Sequence, residues 1–190
     1  MNKTKRKIFE TSMKLFADKG YDATSIEEIT ATVGVAKGTL YYHFSSKEEI
    51  FEFLVEEGVK LLKNSISIKT DNLKHSLDKI RAIVLIQIKV LFKYESFMTI
   101  ILSQIWGNDE RSQLCKKHVF DYIQMIEEIV KDGIEKAEII SGDPNIIASG
   151  IFGFICSSFI YKMRHQGDIK VEELFSEVDN LFIKKLTKQK

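Results

Sequence analysis

The stretch Lys37-Gly38-Thr39-Leu40-Tyr41-Tyr42-His43-Phe44 gathers side chains able to bond oxyanions and base edges. Hydroxyls of Thr39, Tyr41 and Tyr42 can donate to phosphate oxygens, Lys37 supplies positive charge, and the His43 ring nitrogens donate or accept. Helical geometry sorts these groups. At roughly 100° per residue Leu40 and Phe44 point inward together, while Gly38 and Tyr42 fall opposite Leu40, flanked by Tyr41 and Thr39. A solvated helix has little reason to show a tyrosine pair beside a bare glycine. A nucleic-acid duplex supplies the reason, because glycine admits the backbone closely and the hydroxyls reach phosphates.

Enzymatic chemistry finds little to work with. His43, His75, His118 and His165 are scattered, no Gly-rich phosphate loop precedes a helix, and neither a His-Glu-x-x-His pattern nor a paired-cysteine metal site occurs. Ser157-Ser158 lacks the local context of a nucleophile. The sequence therefore implies no catalytic residue, no metal and no cofactor. Cys115 and Cys156 lie far apart with no ligand spacing, and read as free thiols of a reducing cytoplasm.

Neighbouring elements must hold the reading stretch in place. Ile26, Ile29 and Val33 recur at i, i+3 and i+7, one apolar stripe of a short helix. Thr24 or Ser25 can cap it, with Glu27 or Glu28 three residues on. Gly34 follows as a left-handed terminator and Val35 plugs the turn, so a second helix starts near Ala36. Two short helices hinged in this way form a helix-turn-helix.

Gly-Tyr-Asp-Ala-Thr-Ser (20–25), Gly-Val-Ala-Lys-Gly-Thr-Leu-Tyr-Tyr-His-Phe (34–44) and Ser-Lys-Glu-Glu-Ile (46–50) together resemble the N-terminal domain of the tetracycline-repressor (TetR) family. The resemblance implies that Thr24 and Ser25 hold backbone phosphates. It further implies a recognition surface of Lys37, Gly38, Thr39, Tyr41, Tyr42 and His43, with Lys47 on another phosphate. Three positions depart from the commonest pattern: Thr30 and Val33 stand where alanine is usual, and Ala36 where a serine usually caps the recognition helix.

A formal net charge of +1 over 190 residues would not by itself suggest nucleic acid. Its distribution says more: residues 1–47 hold eight Lys/Arg against five Asp/Glu, whereas 48–137 hold 13 against 15. The basic end carries the motif, and Lys3, Lys5, Arg6 and Lys7 read as a short basic arm. Charges interrupt the apolar runs, so no membrane span is expected and the protein is placed in the cytoplasm.

A single proline and the lack of alternating stretches predict an all-α protein of about nine helices: an N-terminal three-helix helix-turn-helix domain plus a C-terminal helical bundle. The division falls at residues 1–47, for binding DNA, and 48–190, for effector binding and dimerisation, with 46–64 a connector helix. Further helices are predicted over 3–19, 73–94, 96–106, 110–136, 144–165 (stopped by Gly167) and 171–186, ahead of a frayed Lys-rich tail.

Gly150, Gly153 and Ser157 share one face of the 144–165 helix, where small residues permit close approach of another helix. Packing within one chain would explain them equally well. The resemblance implies a homodimer through the last two long helices, with Leu174, Val178 and Leu181 completing the apolar face and an inverted-repeat operator as the DNA partner. Gln87 and Gln104, set in apolar runs, can be the convergent polar groups of a pocket shared with Trp106, Tyr122 and Met125. These residues imply a hydrophobic small-molecule effector that releases a repressor from DNA. The alternative is a DNA-bound structural or interaction protein with no effector.

Overall fold

Local signals set the helix boundaries in the computed structural model, which describes residues 2–165 and 169–187. The Asn2 side chain caps α1 (Lys3–Lys19) by accepting from the Lys5 N–H, and Gly20 ends it at φ 85°, its N–H donating to the Phe16 carbonyl. Lys3, Lys5, Arg6 and Lys7, the short basic arm of the sequence, build the opening turns of this helix, which is predicted over the same residues. Ser25 caps α2 (Ile26–Val33), and Gly34, at φ 77° and ψ 40°, closes it in the left-handed conformation. There follow α3 (Lys37–His43), α4 (Lys47–Thr70), α5 (Ser76–Lys93), α6 (Glu95–Gln104) and α7 (Glu110–Glu135). Asp143 caps α8 (Pro144–Arg164), with proline in its first turn, and α9 (Val171–Leu181) precedes a 3-10 turn (Ile183–Leu186). The described residues hold nine α-helices, as the sequence predicts.

Two boundaries differ from expectation for visible reasons. The connector helix, expected to end at residue 64, continues through a polar stretch to Thr70 because Ile66 and Thr70 are buried and the Thr70 hydroxyl donates to the Ile66 carbonyl. The last helix, expected to reach 186, stops at Leu181. Beyond it Ile183 and Leu186 sink into the core, and the Leu186 carbonyl accepts from the Ile140 N–H. Gly167 as a helix stop, and the tail over 188–190, lie outside the described residues.

The chain forms two compact units, one of residues 1–61 with 94–117, the other of 62–93 with 118–190. The sequence division at 47/48 falls at the head of α4, whereas the units divide within it and the first takes in α6 and the start of α7. In the first unit α1 packs against α2, α3 and α6, over a core including Ile8, Phe16, Ile29, Leu40, Phe44 and Leu54. Gly58 of α4 meets the Phe97 ring of α6 so closely that a Cβ there would overlap it. In the second unit α5 packs against α8, α9 and the 3-10 turn, with Ile80, Ile83, Val84, Ile88 and Leu91 buried.

One premise is corrected, since charge does not interrupt every apolar run. From Pro144 to Tyr161 helix α8 carries no charge, and it is long and apolar enough to cross a membrane by length and composition alone. Within its unit Ala148, Ile151, Ile155, Ser158 and Phe159 are buried.

Candidate nucleic-acid interface

The reading helix is anchored by two residues. Leu40 is fully buried and Phe44 nearly so, which fixes the rotation of α3 against α1 and α2. That rotation leaves Tyr42 84% and Tyr41 46% exposed, on the same face as open Gly38, where an added Cβ would meet nothing. His43 stacks edge-on to Tyr42 at 5.0 Å. Ala36 provides no side-chain cap, so α3 starts without the acceptor that a serine hydroxyl would offer. Thr30, the other polar departure, is buried and its hydroxyl donates to the Glu27 carbonyl, which spares α2 a desolvated oxygen.

The residues flanking α3 have different fates. Ser25 accepts from the Glu28 N–H at 3.1 Å, which leaves its own proton free to donate outward. Thr24 is corrected: at 1% exposure its hydroxyl donates to the carbonyls of Gly20 and Leu15, closing the α1–α2 turn, so its side chain is no phosphate ligand. Lys47 is half-buried, and its ammonium donates to the carbonyls of Tyr21 and Thr24 at 2.9 and 2.8 Å. It braces that turn from within the unit, where the resemblance has it on a phosphate.

Tyr21 is the residue that sequence reasoning missed. Its ring lies between two cations, with the Lys47 ammonium 4.3 Å and the Arg111 guanidinium 4.0 Å from the centroid. Its hydroxyl donates to Glu48 Oε1 at 2.7 Å. Burial, followed by that bond to Glu48, pushes the phenol far above its usual range, and Glu48 is held below the usual carboxylate range chiefly by the same bond. Arg111, at the start of α7, also pairs with Asp22 at 2.9 Å and with Asp109. No local pattern signals this cluster, because residues 21, 47 and 111 meet only in the fold.

Most cations of the first unit are already engaged. Arg6 pairs with Glu10, Lys19 with Glu28 and Lys37 with Glu27, while Lys5 sits over the Phe44 and Phe53 rings. These pairs lie within the segment, so they tie up individual side chains and leave its excess of positive charge unchanged.

The predicted pocket residues divide between the units. Gln87 and Tyr122, both buried, come together in the second, with half-buried Met125 on the same helix as Tyr122 and the Phe152 ring 6.1 Å from the Tyr122 ring. Gln87 Oε1 and the Tyr122 hydroxyl have no hydrogen-bond partner of good geometry, although the Gln87 side chain offsets part of the upward push that burial gives the Tyr122 phenol. Gln104 is half-buried in the first unit. Trp106 is corrected: 85% exposed just past the end of α6, it lines no enclosed pocket.

The predicted dimer face divides too. Gly153 and Ser157 are exposed and Leu181 is 67% exposed. Leu174 and Val178 are largely buried within their own unit, where α9 packs on α5, and reach the groove between α8 and α9 only as part of its lining. Gly150 faces Phe182 of the same chain, whose ring would lie 3.5 Å from an added Cβ. The open stripe of α8 is instead Ile146, Gly153, Ser157, Ile160 and Arg164, spaced by three, four or seven, beside exposed Tyr161 and Met163. A groove of about 1070 Å³ runs between α8 and α9, past Phe154, Ser157, Tyr161 and Leu181.

Residues 8–54 match the family described as bacterial regulatory proteins, tetR family. Over 74 residues the chain is 38% identical to the biofilm operon icaADBC HTH-type negative transcriptional regulator IcaR of Staphylococcus aureus strain Newman. That match covers 39% of this chain and 40% of IcaR, less than half the length of the relative. Among solved structures, a Clostridium perfringens chain named for fatty acid metabolism regulation superposes with a TM-score of 0.88 at 28% identity, covering 96% of this chain and 100% of that one. AibR, solved in complex with isovaleryl coenzyme A and operator DNA, shares the fold with a TM-score of 0.81 at 19% identity, covering 95% of this chain and 98% of its own.

Proposed function

We propose, from the match of residues 8–54 to the bacterial regulatory proteins of the tetR family, that the chain is a homodimeric cytoplasmic repressor of transcription. It leaves an inverted-repeat operator when a hydrophobic small molecule binds its larger domain. The observation that carries this reading is the rotation of α3: Leu40 and Phe44 buried, Tyr41 and Tyr42 outward beside Gly38. A helix so turned can lie in a major groove with its polar face on bases and phosphates.

The exposed α8 stripe with Leu181 supports a two-fold dimer. Such a pairing presents two reading helices to half-sites one or more helical turns apart. The Gln87–Tyr122 contact supports the effector site, because buried polar atoms lacking good partners are costly unless something else satisfies them. The effector is a hydrophobic molecule with a polar group for that pair, bound best by the conformer that spaces the reading helices wrongly for DNA. Coupling of about 1 to 3 kcal/mol between the two sites lowers operator affinity by roughly 5- to 150-fold.

Selection of bound genomic fragments by the purified protein tests this reading. Recovery of an inverted repeat, bound in preference to random duplex at moderate salt, is expected. Equal retention of all duplexes at every salt concentration would overturn it.

A further inference from the structure

One ion pair of the first unit stands on the reading surface itself. Glu27 is the second residue of α2 and Lys37 the first of α3, and Lys37 Nζ lies 2.5 Å from Glu27 Oε1. Both side chains are more than half exposed, and an exposed pair of this kind adds little to folding stability. Its placement has another consequence. The N-terminal residues of a recognition helix contact base edges, and the Lys37 ammonium carries the Glu27 carboxylate to that end of α3. Lys37 also sits 5.9 Å from the exposed Tyr41 ring, so acid, base and aromatic share one corner of the surface. Lysine and the bond it donates hold the Glu27 carboxyl below its usual range, so the group meets DNA as an anion.

Resting on the repressor reading, we propose that Glu27 is a specificity-determining residue, which accepts from the exocyclic amine of a cytosine while Lys37 donates to guanine O6 or N7. Each carboxylate oxygen offers more than one acceptor site and an ammonium has three protons, so the two side chains keep their mutual bond while reading bases. Against phosphate the same carboxylate is repulsive, and it neutralises Lys37. Binding to arbitrary duplex is thereby weakened, and only a sequence that presents an amine to Glu27 recovers the loss.

Glu27→Gln keeps the size of the side chain and removes its charge. Sites are selected from randomised duplexes with wild type, Glu27→Gln and Glu27→Ala, and affinity is then measured for the selected and for a random duplex over a salt series. In the glutamine variant, preference at one position of each half-site is expected to move from cytosine toward adenine, whose N6 and N7 glutamine pairs with. Random-duplex binding is expected to tighten, with a log-log salt slope steeper by about one unit, and the specific-to-random ratio to fall about fivefold or more. The alanine variant is expected to lose preference at that position. A wild type that selects no site at all removes the repressor reading. A wild type that selects a site, with both variants choosing the same bases at the same ratio, removes the role of Glu27 alone.

Discussion

At the scale of single residues, exposure separates groups that the repressor reading sets against DNA from groups that shape the surface. Tyr42, 84% exposed on the anchored helix, sets its ring edge-on to that of His43. Tyr42→Ala is expected to weaken operator binding by about 1 to 3 kcal/mol with the dimer intact, as read by anisotropy titration beside sedimentation. Lys47 tells the opposite story. Its ammonium serves two backbone carbonyls and the Tyr21 ring, so Lys47→Ala is expected to lower the melting temperature. It should flatten the log-log salt slope by much less than the one unit or so that loss of a phosphate contact gives. The outward face of α3 was legible in the sequence because a helical period leaves no freedom once Leu40 and Phe44 are inside. The duties of Thr24 and Lys47 were not legible, because they depend on carbonyls of a turn whose path only the folded chain fixes.

Among the elements, caps and buried anchors decide where helices run. Asp109 precedes α7, accepts from the Ser112 N–H at 2.8 Å and pairs with Arg111, and these bonds hold its pKa down to about 2 from 3.8. A carboxyl lowered on folding contributes stability that is complete above its ordinary value and lost as pH falls through the folded one. The stability difference between wild type and Asp109→Asn is therefore expected to narrow as pH falls from about 5 to about 2, followed by denaturant melts. The cap signals of α2 and α8 could be read directly, since the capping side chain and the amide that donates to it are three or fewer residues apart. The end of α4 could not. Ser65 to Asn72 looks polar, and only burial of Ile66 and Thr70 carries the helix to residue 70.

For the whole molecule, the residues of α8 and α9 sort into those that hold a unit together and those left open to a second copy. Ile160, 66% exposed, belongs to the open stripe, whereas Leu174 is buried. Ile160→Asp is expected to shift sedimentation from dimer toward monomer without lowering helix content. Leu174→Ala is expected to leave the mass unchanged while costing about 2 to 5 kcal/mol in unfolding. Sequence periodicity could not make this distinction, because an apolar stripe facing a partner and one facing a neighbouring helix have the same spacing. The interleaving of the two units has a further consequence, in time. The unit that carries α3 also contains residues 94–117, with α6 lying on α1 and Phe97 seated at Gly58. A chain emerging from the ribosome has synthesised its DNA-reading helix long before the segment that covers the same core. On the repressor reading, operator binding is expected to await synthesis of residues 94–117, and a fragment ended after the reading helix, its core uncovered, is expected not to occupy the operator in place of the finished protein.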